Sequence, residues 1–379
     1  MKKIIFILYG LFLLSLTLFS YSFVDHNLIY YQKLYTGFAF NNRGVVSVLY
    51  VVFVILFFLF YFLIIKLINE KIIVFKEIKY LVGFTCLFLL FSYPAMLSYD
   101  IFNYVATANV LFHYHENPYL IMPIAFIGDP LLLFTHAANK VALYGPAWIV
   151  ISGLPFLLGI GNFFMVIINL KLTVIIFYLL TIFILWKFTK SLLAISLFAF
   201  NPLVIIEILV SGHNDIVMMF FALFSLYLVK QKKIFLAIVF MFLSIFIKYA
   251  SIFLLPVFVY LLIQNYHKRE IVWEKIFLIS SISMFSIFLL SPLREEMYPW
   301  YAIWFLTFSL CLPKVKLLLY FSIALSFGLM LRYLPFMYLG TYFGITPIAR
   351  ILLTIIPIFI LCLYGLFKLN KHKKYEKNI

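Results

Sequence analysis

Along this chain, apolar residues run unbroken for a helix's worth of positions, give way to a few lysines, and then resume. The early runs are Ile4 to Val24, Val45 to Ile65, Tyr80 to Leu97, Phe163 to Trp186, Ser191 to Val210 and Ile216 to Val229. The later ones are Ile234 to Ile247, Ser251 to Ile263, Ile276 to Leu290, Tyr301 to Leu312, Val315 to Leu331 and Ile348 to Phe367. The predicted fold is all-α, a polytopic transmembrane helical bundle of about twelve spans, several shorter than the ~20 residues that cross a bilayer. Short or broken helices are tolerated in a membrane only where they pack inside protein or line a cavity, so an internal site is expected. The runs are continuous and do not alternate with period two, which excludes a transmembrane β-barrel.

Charge orients the bundle. Basic clusters at Lys66 to Lys79, Lys187 to Lys190, Lys230 to Lys233, Lys268 to Lys275, Lys314 to Lys316 and Lys368 to Lys377 belong in the cytoplasm with both termini. Counting Gly145 to Ile160 as a crossing would invert every later basic loop. That short, Gly/Pro-punctuated stretch is therefore expected to be re-entrant or in-plane. Asp25, Asp100, Asp129 and Asp215, with Glu116, Glu207, Glu295, Glu296, His113, His115, His136 and His213, then fall on the outer side. Lys2 and Lys3 precede the first run, no small-residue cleavage site follows it, and an uncleaved signal-anchor helix is expected.

Composition agrees: 66% of residues are hydrophobic and 11% charged, far from the balance of a soluble domain. The net charge of +16 reads as a topology signal at span ends and not as a nucleic-acid surface. Cys86, Cys311 and Cys362 lie in apolar runs without metal-ligand or disulfide spacing, and no metal or other cofactor is expected. The chain, 1–379, reads as one membrane-embedded domain: a catalytic module at approximately 80–305, C-terminal spans over 306–368 and a basic tail at 369–379.

Candidate chemistry concentrates on the outer side. Ser98 to Tyr144 is a long stretch without a span, and a helix from Asp100 would place Asp100, Asn103 and Thr107 on one polar face, lying along the membrane surface. Asp100 is either the cap of that helix or a general base beside a low-dielectric wall. Asn117 to Tyr119 (NPY) and Tyr144 to Trp148 (YGPAW) are turns whose aromatic residues, Tyr119 and Tyr144, could also stack on sugar. In Asn201 to Asp215, Glu207 sits in an apolar helix and must face a polar cavity, followed by His213, Asn214 and Asp215, the last a cap or a site residue. Lys248, between two short apolar halves, either snorkels to headgroups or binds an anionic phosphate. In Ser291 to Trp304, Arg294 is suited to phosphate, and Tyr298, Trp300 and Tyr301 to an aromatic belt or a groove wall. Lys171, Arg332 and Arg350 lie within or beside spans with no assigned role.

In order along the chain, YD...NY, NPY, YGP, NP....E....GHND, the Lys248 helix pair and YPWY, from Tyr93 to Trp304, resemble the GT-C glycosyltransferases. The likeness is to the bacterial polyprenol-phosphate-mannose-dependent mannosyltransferases. Two spans precede the catalytic loop where the minimal family module has one, and HYHE at His113 to Glu116 has no counterpart. The resemblance implies transfer of a hexose, mannose first, from a polyprenyl-phosphate sugar to a glycan or glycolipid hydroxyl on the extracytoplasmic side of the cell membrane, with inversion. It implies Asp100 as base and Lys248, Arg294 and His213 on the donor phosphate. Asn103, Asn117, Tyr119, Tyr144, Glu207, Asn214, Asp215, Tyr298, Trp300 and Tyr301 would contact sugar or acceptor. The rival readings are a polysaccharide ligase or polymerase with a lipid-pyrophosphate donor and, without matched inverted halves to support it, a secondary transporter.

Overall fold

The computed structural model describes residues 2–28, 37–294 and 296–376, with side chains through 365. Glu295 and the side chains of the basic tail lie outside that set. All regular structure among the described residues is helical, without strands. Among the described residues, seven stretches are long and apolar enough to cross a membrane: Lys2–Phe23, Arg43–Asn69, Phe163–Thr189, Tyr249–Tyr266, Trp273–Leu293, Lys316–Leu339 and Thr346–Gly365. An eighth, Leu192–Ala199 with Pro202–Val210, is bent by 56°. The expected spans at 80–97, 216–229, 234–247 and 301–312 form shorter helices instead: α4 (Phe75–Leu90), α10 (Asp215–Lys230), α11 (Ile234–Ile247) and α14 (Ile303–Ser309).

The remaining helices are α1 (Lys2–Ser20), α2 (Phe38–Asn41), α3 (Arg43–Asn69), α5 (Asp100–Phe112), α6 (Pro146–Leu158) and α7 (Phe163–Thr189). They continue with α8 (Leu192–Ala199), α9 (Pro202–Ile205), α12 (Leu255–Tyr266), α13 (Trp273–Leu290), α15 (Lys316–Leu331), α16 (Leu334–Leu339) and α17 (Thr346–Glu376). The short α10 is buried nearly from end to end, and α11 packs along it. The long α1, α3 and α17 instead expose rows of Leu, Ile, Val and Phe, as lipid-facing helices do.

Contacts between helix ends sort the polar residues into two groups. At one end Lys2 meets Glu77, Phe75 packs on Trp186, Phe188 on Trp273, Lys230 lies over Trp273, and Lys314 meets Glu274. Five of the basic runs thus share one end of the bundle. At the other end Tyr99 donates to Asp25, Asp100 meets His213, Lys248 meets Asp215, and Arg332 and Arg350 meet Glu296.

Two local features position this second end. Lys171, buried in α7, donates to the carbonyls of Leu89 (2.6 Å) and Ser92 (2.7 Å) and to the Ser92 hydroxyl (2.8 Å). Its donors satisfy carbonyls left open at the end of α4 and fix the turn that leads to Asp100. Asn201 accepts from the amides of Leu203 and Val204 and restarts the chain as α9 after the bend. The helix then widens into a π-turn, Ile206–Val210, of the kind that places side chains at functional sites.

α5 differs from expectation. Ile101, Phe102, Tyr104, Val105, Ala106, Thr107, Ala108 and Asn109 are all buried, because α6 and the 113–144 segment cover it. It is therefore an interior helix and does not lie on a surface. The apolar Gly145 to Ile160 stretch forms α6, which packs against α7 around Gly159, and the Asn169 amide reaches the Pro155 carbonyl at 3.3 Å.

Candidate active site

Asp100 is the first residue of α5, and Tyr99 holds the cap position, so the Asp100 carboxylate is not spent on capping. It points at His213, with Nδ1 to Oδ2 at 3.5 Å. The other imidazole nitrogen, Nε2, lies 3.3 Å from a Glu207 oxygen. His213 is thus a bridge between two carboxylates. Gly212 makes the geometry possible: its φ of +75° suits glycine, and a Cβ there would press on Ile101 of α5. The second Glu207 oxygen accepts from the Tyr333 hydroxyl at 2.7 Å.

Electrostatics follow from this enclosure. Burial works against charge on His213, but the Asp100 and Glu207 carboxylates outweigh it and raise the imidazole to about 9. Burial likewise opposes ionisation of Asp100, yet His213, Lys248 and Asn103 overcome it and hold the carboxyl below its ordinary value. At neutral pH the pair is imidazolium and carboxylate.

A second ion pair stands beside the first. Lys248 donates to both Asp215 oxygens at 2.9 Å, and the Trp304 indole donates to one of them at 2.5 Å. Asp215 is fully buried and Lys248 keeps 17% of its side chain exposed. Asp215 opens α10 with Asn214 in the cap position, so it does not cap the helix, and Lys248 does not snorkel. Lys248 also lies 5.0 Å from the Tyr301 ring centre.

Aromatic side chains wall this charge. His213 stacks on Trp300 at 4.2 Å and Trp300 on Tyr298 at 4.5 Å, while Tyr301 stacks on Trp304 at 4.3 Å. Tyr104 packs edge-on against Tyr144 and Trp148, and its hydroxyl accepts from the Asn214 amide. The turn motifs serve as braces. The Tyr119 hydroxyl donates to the Tyr144 carbonyl at 2.7 Å, and the Gly145 amide donates to the Ile247 carbonyl at 3.0 Å, next to Lys248. A Cβ on Gly145 would strike the Phe246 carbonyl, so this approach requires glycine. Asn117 closes its own turn onto the Tyr119 amide, and Asn103 accepts from the Ala137 amide.

Of the residues singled out in the sequence, Asp100, Glu207, His213, Asn214, Asp215, Lys248, Tyr298, Trp300 and Tyr301 are drawn into one connected cluster. Asn103 and Tyr144 border it through α5 and Tyr104. Asn117 and Tyr119 stand a layer away as braces, and Arg294 is exposed beyond the cluster. His113 and Asp129 line a separate cavity of ≈ 430 Å³ on the opposite face of α5, with Val105, Asn109 and Phe112. Sequence reasoning missed Tyr104, Trp304 and Tyr333. Trp304 was within reach, one helical turn past Trp300 in an already suspicious motif, whereas nothing local marks Tyr333. Among the described residues no three His, Cys, Asp or Glu side chains are arranged to hold a metal ion.

A bundle of apolar helices enclosing carboxylates, an imidazole and stacked aromatics defines a membrane-embedded protein with a polar cluster gathered at one end. Residues 8–264 match the MptA_B family model, described as alpha-(1->6)-mannopyranosyltransferase, N-terminal domain. The match covers more than half of the chain, and the protein belongs to that family of membrane mannosyltransferases. It supports a mannosyltransferase of GT-C type, as the resemblance implied. No curated protein and no solved structure matches the chain. The matched stretch holds Asp100, Glu207, His213, Asp215 and Lys248, and stops before the Tyr298 to Trp304 wall and Tyr333.

Proposed function

We propose that the protein transfers mannose from a polyprenyl-phosphate donor to a hydroxyl of a glycan or glycolipid, with inversion, on the extracytoplasmic face of the cell membrane. Asp100 takes the proton of the acceptor hydroxyl as that oxygen bonds to the anomeric carbon. The bond from that carbon to the donor phosphate breaks, and its electron pair leaves with the phosphate. Inversion of a β-linked donor yields the α linkage that the family description carries.

The observation that carries this reading is the Asp100 carboxylate set 3.5 Å from the His213 imidazole in a mannosyltransferase-family chain. A carboxylate whose pKa is lowered is a weak base toward a resting alcohol. It suits a concerted step, in which the hydroxyl becomes acidic only as the new bond forms; such assistance is worth about 10²–10⁴-fold. His213, itself protonated, keeps Asp100 ionised and oriented. Tyr298 and Tyr301, the partly exposed members of the two aromatic stacks, border the sugar, while Trp300 is taken up by His213 and Tyr298. Lys248 and His213 act through ion pairs already made, and Arg294 meets the donor phosphate as it enters. Glu207, Asn214 and Asp215 hold the frame that the sugar contacts.

Sidedness rests on the positive-inside rule, since the basic runs gather at the end opposite Asp100. The short α4, α10, α11 and α14 bring the crossings to about twelve; α10 and α14 are buried inside the bundle and need not match the full bilayer thickness, while α4 and α11 each bury one face. Residues 1–379 act as one catalytic unit, because Tyr333 from the C-terminal helices bonds Glu207.

Purified protein in nanodiscs, given mannosyl-phosphoryl-polyprenol and a mannoside acceptor, should form an α-(1->6) product and release the polyprenyl phosphate. Transfer only from a lipid pyrophosphate or a nucleotide sugar would overturn the proposal. Passage of a solute across the bilayer without any transfer would favour a transporter.

A further inference from the structure

The cations of the candidate active site are already matched, since His213 faces two carboxylates and Lys248 one. A different balance holds where α15 meets α17. Arg332 and Arg350 share a single described carboxylate, Glu296, at 2.7 and 2.6 Å, and both bonds fall on the same oxygen. Both arginines are more than nine-tenths buried. Among the described residues, the other acceptor that a guanidinium reaches is the Thr354 hydroxyl, 3.5 Å from Arg332. The Nε atom of each is buried without a hydrogen-bond partner among the described residues. A guanidinium carries five N–H donors in a planar fork, so the pair has donors and positive charge in excess of what Glu296 accepts. The ring of Tyr342 lies 5.5 Å from Arg350 and closes one side.

The place of this pair is as telling as its charge. Tyr333, next to Arg332, bonds Glu207, which meets His213, which meets Asp100. Glu296 lies two residues before Tyr298, which stacks on Trp300 and through it on His213. Two independent routes thus join the arginines to the candidate active site. Glu296 is 29% exposed, so the cluster is open to an incoming group.

We propose that Arg332 and Arg350 form an anion site that takes a phosphate monoester or diester carried on a lipid, with Glu296 holding the two guanidiniums in place until it arrives. Phosphate oxygens fit the guanidinium forks as a carboxylate does, and they supply the acceptors that the Nε atoms lack. The identity of the ligand as the donor's phosphate rests on the mannosyl-transfer reading above. The residues lie beyond the stretch that the family model matches.

The test measures binding without turnover. Farnesyl phosphate, inorganic phosphate and farnesol are titrated into purified full-length protein in nanodiscs. Farnesyl phosphate should bind and farnesol should bind at least tenfold more weakly. Arg350→Lys and Arg332→Lys keep the charge for Glu296 but lose the fork, and each should weaken farnesyl phosphate at least tenfold. Glu296→Gln removes the competing carboxylate and should tighten binding several-fold, a gain that misfolding cannot imitate. Asp100→Asn should bind the probe as the parent does, so a failed base assignment and a failed anion site give different results. Unchanged affinity in both Arg→Lys variants, or weaker binding in Glu296→Gln, would overturn the site. Inorganic phosphate binding as tightly as farnesyl phosphate would overturn its lipid source.

Discussion

His213 reaches Asp100 with one ring nitrogen and Glu207 with the other, at 3.5 and 3.3 Å. An imidazole so placed cannot serve as the proton acceptor at neutral pH, because both neighbours favour its charged form. Its work is to hold Asp100 ionised. The pH dependence follows. His213 is raised from 6.5 to about 9, so the stability it contributes is fully present below about pH 6.5 and is lost as pH rises through about 9. Asp100 is lowered, so its contribution is present above its ordinary 3.8 and is lost as pH falls below that. Thermal unfolding in detergent should show the parent losing stability between pH 6.5 and 9.5 relative to His213→Gln. A constant difference across that window would mean the ion contacts do not form.

Lys248→Met leaves the fully buried Asp215 with Trp304 as its remaining described partner. Breaking a buried pair by removing one member costs about 3–5 kcal/mol, and the partial exposure of Lys248 argues for the lower figure. Adding Asp215→Asn to Lys248→Met removes the stranded charge and should recover a good part of the loss. Additive losses in the double variant would mean that the two side chains do not act as a pair.

Gly145→Ala probes the approach of the YGP turn to α11. An added Cβ meets the Phe246 carbonyl, a backbone atom that cannot swing aside. The variant should lower both stability and activity, whereas Gly83→Ala, inside α4 where open space surrounds the new carbon, should leave activity unchanged and stability equal or slightly higher. Equal behaviour of the two would remove the tight contact beside Lys248 from the picture.

Sidedness is open to chemical labelling. Ile127, 95% exposed, belongs to the segment that covers α5, and Lys268 belongs to a basic run between α12 and α13. In a Cys-free background, Ile127→Cys should react with an impermeant maleimide on intact cells and Lys268→Cys only after lysis. The reverse pattern would place the active site on the cytoplasmic side.

Much of this was legible in the sequence, for identifiable reasons. Apolar runs mark helices whatever their partners, and a carboxylate such as Glu207 inside one demands a polar neighbour, so the polar cluster announced itself locally. The four shorter helices look like full spans in the sequence because hydropathy records apolarity and not where a helix ends. α5 was read as a surface helix because its polar face was visible, whereas the 113–144 segment that buries it was not. Ion pairing was beyond reach. Lys248 and Asp215 are 33 residues apart and Tyr333 and Glu207 are 126 apart, separations that no periodicity encodes. The arginines stood out as charges beside spans, and only their shared Glu296 gave them a place.

Asp100→Asn bears most directly on the mechanism. Asp100 leads α5 without capping it, so asparagine keeps the shape and costs the helix little, while the carboxylate that would take the acceptor's proton is gone. Single-turnover transfer of mannose from mannosyl-phosphoryl-polyprenol should fall by ~10²-fold or more, the scale of lost general-base assistance, with donor binding and protein level unchanged. Transfer by the purified variant within a few-fold of the parent would contradict the assignment of Asp100 as the base.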